Sequence, residues 1–252
     1  MNPLFDLTGK AALVTGGNGG IGLAIAQALK SAGANVLIVA RNPAKNEAAA
    51  AQGFATYAAD VTIDAQCQAA VAEAGRLFGR LDILVNNAGT NIRARPEDLS
   101  EPDWHTVIDT NLTSLHLMSK AAYPLLKRPK DKRGGKIVNI GSLMSTFAVP
   151  FSPAYAASKG GVVQYTKALA AAWAADDIQA NAILPGWVHT ELTDRARDQI
   201  PGLYDRTLAR IPAARWGQPE DMAGLALFLS SPAANYITGA AIPADGGFTA
   251  MG

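Results

Sequence analysis

Cysteine is nearly missing from this chain, with Cys67 the only one in 252 residues. An intrachain disulfide is therefore excluded, and a fold held by packing in a reducing compartment is expected. Long apolar runs are missing too: none reaches the roughly 18 residues that a membrane span requires. The opening Met1-Asn2-Pro3-Leu4-Phe5-Asp6-Leu7-Thr8-Gly9-Lys10 lacks the basic start and apolar core of a signal peptide. A soluble, cytoplasmic protein with no membrane partner is expected. Charge imbalance is also lacking, since 22 Lys+Arg oppose 21 Asp+Glu for a formal net charge of +1. Phosphate neutralisation needs a concentrated basic face, so nucleic acid is not an expected partner. The one basic stretch, from Lys127 to Lys136, reads as a solvated loop between a helix and a strand. His105, His116 and His189 form no ligand pattern with one another or with Cys67, so no metal site is expected. Cys67 sits among Ala and Gln in a helical segment, where a buried or idle thiol is the simpler reading.

What the chain does contain is 49% hydrophobic residues, enough for a sizeable core in one large α/β domain. Apolar runs of strand length fall at Ala11–Thr15, Asn35–Ala40, Ala55–Ala58, Ile83–Asn86, Lys136–Ile140, Gln179–Leu184 and Ala241–Pro243. Helix-forming stretches lie between them at Ile21–Ala32, Ala44–Gln52, Asp64–Phe78, Glu101–Leu126, Ala154–Ala175 and Pro219–Leu229. Runs such as Val36-Leu37-Ile38-Val39 suit strands buried on both faces. The alternation predicts a doubly wound parallel sheet with helices on both faces. No repeat, low-complexity segment or linker divides residues 1–252, which read as a single domain. Residues 188–216 stand apart, with two Pro, several charges and no strand, as expected of a mobile helical insert over a site.

Strand 1 runs into Thr15-Gly16-Gly17-Asn18-Gly19-Gly20-Ile21-Gly22 and then a helix. Glycines at such a turn let backbone amides approach a pyrophosphate, which the positive end of the helix stabilises. The spacing Gly16…Gly20…Gly22 differs from the common G-x-G-x-x-G. The second strand ends at Ala40-Arg41-Asn42, where an NAD site would carry Asp or Glu for the ribose hydroxyls. Ala40 removes that carboxylate and Arg41 offers a guanidinium to a 2′-phosphate, so NADP(H) is preferred, with NAD(H) possible. Gly19 supplies no second basic residue for that phosphate. Further on, Tyr155 and Lys159 stand four residues apart at the start of an Ala-rich helix and so share a face. A neighbouring cation favours phenolate and would lower the tyrosine pKa, making it a proton donor and acceptor near neutrality. Ser142 lies upstream, at the end of a strand-like run.

Together these residues resemble the short-chain dehydrogenase/reductase family. The likeness rests on the Thr15–Gly22 turn, Asp60-Val61, Asn86-Asn87-Ala88-Gly89, Asn111, Ser142, Tyr155, Lys159 and Pro185-Gly186, and extends from Leu7 to Asp245-Gly246-Gly247. It implies a seven-stranded Rossmann-type fold, a nicotinamide cofactor, catalysis by Asn111, Ser142, Tyr155 and Lys159, and a homotetramer. Within it Gly16, Asn18, Gly20 and Ile21 would face the pyrophosphate, Asp60 the adenine amine and Val61 the same base through its backbone. Asn87, Ala88 and Gly89 would receive the ribose, and Pro185, Gly186, Val188 and Thr190 the nicotinamide. Tyr155 and Lys159 serve cofactor and substrate alike, while Asn111 would hold a water linking Lys159 to solvent. The implied reaction is reversible hydride transfer between a secondary alcohol and a ketone.

The expected substrate is a small molecule met by Arg93, Ser142, Met144, Trp187 and His189, with Arg95, Phe151, Leu192 and the Arg215-Trp216 region near by. Asn91-Ile92-Arg93 and the Arg210–Gly217 segment resemble the gluconate 5-dehydrogenase and 2-deoxygluconate 3-dehydrogenase branch. A carboxylate partner for Arg93 would fit a sugar acid; polyols, cyclic ketones and 3-oxoacyl thioesters stay open. A catalytically silent NADP(H)-binding regulator needs the glycines but not the four catalytic side chains. Epimerising or dehydrating relatives tend to carry a larger C-terminal region.

Overall fold

The computed structural model describes residues 2–128 and 133–251. Pro129, Lys130, Asp131 and Lys132, within the basic stretch read as a loop, lie outside the described residues, as do Met1 and Gly252. The strands are β1 (Ala11–Thr15), β2 (Asn35–Ala40), β3 (Ala55–Ala58), β4 (Ile83–Asn86), β5 (Lys136–Ile140), β6 (Gln179–Pro185) and β7 (Ala241–Ala244). They form one sheet in the order β3-β2-β1-β4-β5-β6-β7, and every neighbouring pair is parallel.

Between the strands run α1 (Gly20–Ser31), α2 (Pro43–Ala51), α3 (Asp64–Phe78), α4 (Glu101–Ile108), α5 (Ser114–Leu126), α6 (Pro153–Trp173), α7 (Glu191–Gln199), α8 (Leu203–Leu208) and α9 (Glu220–Ser230). Successive strand side chains point to opposite faces, and the two cores follow that alternation. Val14, Ile38 and Val85 pack with Ile25 and Leu29 of α1 and Met222 and Leu229 of α9. Leu13, Leu37 and Leu84 pack on the other face with Val71 of α3, Met118 and Leu126 of α5 and Leu169 of α6. Each fully buried aliphatic chain contributes about 1.5–3 kcal/mol. This two-sided demand for Val, Ile and Leu is why the strands are continuous apolar runs. The architecture is thus the expected Rossmann-type doubly wound α/β sheet.

One local feature departs from the expected elements. The stretch from Glu101 to Leu126 is interrupted by a π-helical turn at Asp109–Thr113 that separates α4 from α5. Residues 188–216 contain α7 and α8, and the segment is tied at its ends by a bridge between Val188 and Gly217. A third apolar cluster, Leu143, Met144, Ile211, Trp216 and Phe248, joins this segment to the residues after β5 and to the C-terminal turn. The sheet order makes β1 and β4 neighbours whose chains leave in opposite directions. Open α/β sheets bind ligands in the crevice beyond that reversal.

Candidate active site

At the end of β1 the chain turns through Gly16, at φ 62°, and Gly20, at φ 51°, into α1. A Cβ on Gly22 would lie 2.4 Å from both Asn87 Nδ2 and the Gly16 carbonyl oxygen, so the turn packs directly on the end of β4. Hydrogen bonds seal that contact. The Asn87 side chain donates to the carbonyls of Thr15 (2.9 Å) and Gly16 (3.0 Å), while the Thr15 hydroxyl accepts from the Asn87 and Ala88 amides (3.0 and 3.1 Å). Asn87 therefore braces the glycine turn.

A cleft of about 310 Å³ opens above this junction. Gly16, Asn18, Gly20 and Ile21 border it, together with Asn87, Ala88, Gly89, Tyr155 and Lys159 and with Pro185, Gly186, Val188 and Thr190. Small residues and the α1 N-terminus give this cradle the shape and polarity that suit a dinucleotide pyrophosphate. Nothing lies within 4 Å of a Cβ built on Gly19, which leaves room against the turn. Arg41, Asp60 and Val61 lie outside the cleft lining, at the ends of β2 and β3. Arg41 donates to Asp60 at 3.3 Å, and Asp60 also accepts from the Thr62 amide (2.9 Å) and hydroxyl (2.7 Å). Burial works to raise the Asp60 carboxyl, but Thr62 and Arg41 together hold it below its ordinary value.

Ser142 caps a short 3₁₀ turn after β5, accepting from the Met144 amide at 3.1 Å. Tyr155 and Lys159 lie one turn apart on α6, and the Lys159 Nζ sits 5.7 Å from the Tyr155 ring centre. Lys159 is 4% exposed, and its ammonium donates to the Ile140 carbonyl at 2.7 Å. Asn111, brought inward by the π-helical turn, accepts from the Thr90 amide (2.7 Å) and donates to the Thr90 carbonyl (2.9 Å) and Ser158 hydroxyl (3.0 Å). Ser158 in turn donates to the Tyr155 carbonyl at 2.8 Å. This chain of bonds fastens the Asn87–Thr90 segment to α6. Ser158 gave no sign of its part in the sequence; π-helical insertions are frequent at functional sites, but one inserted residue that locally under-winds a helix has no motif.

Burial raises the Tyr155 phenol above its ordinary value, opposed by the Ser142 side chain and the charge of Arg93. The Lys159 ammonium is turned to the Ile140 carbonyl, and burial brings it down to about 8.

Beside the cleft lies a chamber of about 60 Å³. Arg93, Ser142, Met144, Tyr155 and Trp187 border it, with Phe151 and Leu192. His189 does not. Its ring packs against Trp216 (centroids 5.3 Å apart) and Tyr204 (6.3 Å), because the bridge between Val188 and Gly217 turns it to the apolar cluster. Trp216 is buried there, and Arg215 pairs with Asp221 at 2.6 Å. Sequence reasoning missed Lys45, Glu191 and Arg195, which border the cleft. The Lys45 ammonium pairs with the Glu191 carboxylate, bridging α2 to α7; at 146 positions apart, no local pattern could announce the pair.

A family profile described as enoyl-(acyl carrier protein) reductase matches residues 16–249. The 2-dehydro-3-deoxy-D-gluconate 5-dehydrogenase of Bacillus subtilis (strain 168) is 41% identical, covering 98% of this chain and 98% of that protein. The galactitol 2-dehydrogenase (L-tagatose-forming) of Cereibacter sphaeroides is 40% identical over 98% of this chain and 97% of its own. Among solved structures, a gluconate 5-dehydrogenase from Burkholderia cenocepacia J2315, in complex with NADP and tartrate, superposes with a TM-score of 0.91 at 38% identity, covering 99% of each chain. The chain belongs to the short-chain dehydrogenase/reductase family, and is an oxidoreductase acting on CH–OH groups.

The buried lysine gives a test by linkage. An unfolded lysine keeps its proton to about pH 10.4, whereas Lys159 loses it at about 8. The unfolded state therefore binds more protons in that window, and stability rises with pH across it. At neutral pH the charged, desolvated ammonium costs on the order of 3 kcal/mol. The melting temperature of Lys159→Met relative to wild type should be highest near pH 7 and fall as pH approaches about 10. A difference that does not change with pH would contradict the burial argument.

Proposed function

We propose that the protein is an NADP(H)-preferring dehydrogenase/reductase that interconverts a secondary alcohol and a ketone on a polyol or sugar acid. One observation carries the reading. Ser142 and Tyr155 border both the dinucleotide-sized cleft and the small chamber, so their hydroxyls can meet a substrate oxygen at the junction of the two. The names of the relatives, a sugar-acid dehydrogenase and a polyol dehydrogenase, support the substrate range. The NADP bound in the Burkholderia structure supports the cofactor.

In this reading Gly16, Asn18, Gly20 and Ile21 hold the pyrophosphate, Asn87, Ala88 and Gly89 the ribose, and Pro185, Gly186, Val188 and Thr190 the nicotinamide. Asp60 and Val61 meet the adenine, and Arg41 the 2′-phosphate; NAD(H) is the weaker cofactor. When bound, the nicotinamide supplies or accepts a hydride. Tyr155 gives its phenolic proton to the substrate oxygen on reduction and takes it back on oxidation. The raised phenol keeps that proton at neutral pH, which suits reduction. Ser142 donates to the same oxygen and stabilises the negative charge that develops there. Lys159 supplies a cation and donor for the ribose hydroxyls, and Asn111 positions Thr90 and Ser158 and holds a water between Lys159 and solvent. Arg93, Met144 and Trp187 meet the rest of the substrate, and the α7–α8 segment opens to admit it. The family resemblance extends the reading to a cytoplasmic homotetramer; a single-chain mass by light scattering would end that part of it.

Tyr155→Phe should lower kcat by about two to four orders of magnitude while NADPH affinity stays close to wild type. Near-normal turnover by that variant would refute the assigned proton donor. Arg41→Ala should weaken NADPH binding by about tenfold or more and NADH binding far less. Equal losses for both cofactors would remove the phosphate contact.

A further inference from the structure

The chamber beside Tyr155 has room for only a few water molecules, but it is not the whole site. It adjoins an outer vestibule of about 620 Å³, and Asn91, Arg93, Phe151 and Ile200 border both. The vestibule also carries Arg95 and Arg195. These guanidiniums are not equivalent. Arg95 is neutralised by Glu97, Nε to Oε1 2.5 Å. Arg93 is half-buried and spends its donors on two uncharged oxygens, Gln199 Oε1 at 3.0 Å and the Leu192 carbonyl at 3.2 Å. Of the acids on α7, Glu191 pairs with Lys45 while also feeling the Arg195 charge, Asp194 pairs with Arg197 at 3.6 Å, and Asp198 forms no ion pair with the described residues. Among the described residues, neither Arg93 nor Arg195 has a carboxylate in ion-pair range. Burial and the nearby Arg195 charge both depress the Arg93 guanidinium, so the two cations feel each other across the vestibule.

Two further groups limit what enters. Asn91 Oδ1 and Trp187 Nε1 are buried with no hydrogen-bond partner among the described residues, and both residues border the inner chamber. An unpaired buried acceptor and donor each cost about 1–3 kcal/mol, and ligand hydroxyls can satisfy both. A chamber this small takes the reacting carbon and its neighbour; the remainder of an open chain must run out past Arg93.

We propose that Arg93 and Arg195 form a two-guanidinium clamp for the carboxylate of an open-chain polyhydroxy acid whose reacting carbon lies at Ser142 and Tyr155. Convergent guanidiniums recognise a carboxylate by charge-assisted hydrogen bonds, and the anion relieves the repulsion between them. This deepens the reading under Proposed function and rests on it for the position of the reacting carbon. Arg195 also borders the nucleotide cleft, so a contact to dinucleotide phosphate is the rival role.

The test compares D-gluconate with its neutral counterpart D-glucitol by calorimetric titration into the NADPH-loaded enzyme, where neither can be oxidised. Wild type should bind gluconate the more tightly. In Arg195→Ala and in Arg93→Gln the ratio of gluconate to glucitol affinity should fall by about tenfold or more. Raised salt should weaken gluconate binding to wild type and leave glucitol largely unaffected. Arg195 makes no hydrogen bond to the described residues, so its removal should not impair folding. An unchanged ratio in both variants, no binding of gluconate by wild type, or loss of NADPH affinity in Arg195→Ala with the ratio intact would each overturn the clamp. Turnover is not needed for this comparison. Failure of the enzyme to oxidise any alcohol would sink the proposed reaction, and the affinity ratio would still decide the clamp.

Discussion

A buried ammonium organises this site. Lys159 has lost its water, and the Ile140 carbonyl at the end of β5 takes its place as hydrogen-bond acceptor. That bond, with the Ser145 hydroxyl donating to the Lys159 carbonyl at 2.8 Å, ties the start of α6 to the end of β5 and the turn after it. The surroundings give the lysine space as well as a partner. Gly89 has no side chain, and a Cβ there would stand 3.6 Å from Nζ and 3.3 Å from Asn111 Oδ1. The Asn111–Thr90–Ser158 bonds then lock the same corner from the side of β4. Burying a cation destabilises the fold, and the sheet must supply enough core to carry that cost. Functional sites are where such costs persist.

The cleft and the chamber divide the work between two kinds of structure. The nucleotide side is built from the rigid ends of β1, β4 and β5, with the Thr15–Asn87 bonds joining them at the reversal of strand order. The substrate side is built from the segment between β6 and β7, which packs through Trp187, Trp216 and Phe248 and reaches back to α2 through the Lys45–Glu191 pair. In the proposed reading, the cofactor cradle is built on strand ends and the substrate side on a segment of helices and turns, the part of a fold where specificity is usually set. Arg93 belongs to both halves, since its charge pulls the Tyr155 phenol down while its guanidinium faces the vestibule.

Much of this was legible beforehand for definite reasons. Strands buried on both faces have to be apolar throughout, so their positions could be read from the chain. The glycine turn could be read because a backbone that packs against Asn87 tolerates no side chain at Gly22. Ser142, Tyr155 and Lys159 meet because strand ends and helix starts share one edge of the sheet. What escaped reading depended on long-range contacts. The π-helical turn at Asn111 has no signature, and His189 was turned inward by a bridge to a residue 28 positions on. The Arg41–Asp60 pair joins two strand ends that only the sheet makes neighbours.

The central claim is that a hydride passes between the nicotinamide C4 and a carbinol carbon held at Ser142 and Tyr155. A single turnover with 4-deuterated NADPH and 5-keto-D-gluconate, read by mass spectrometry and NMR, tests it most directly. The account predicts deuterium on the newly formed carbinol carbon, from one face of the nicotinamide only. Deuterium released to solvent, or NADPH bound and left unoxidised by this and other keto sugars, would contradict it.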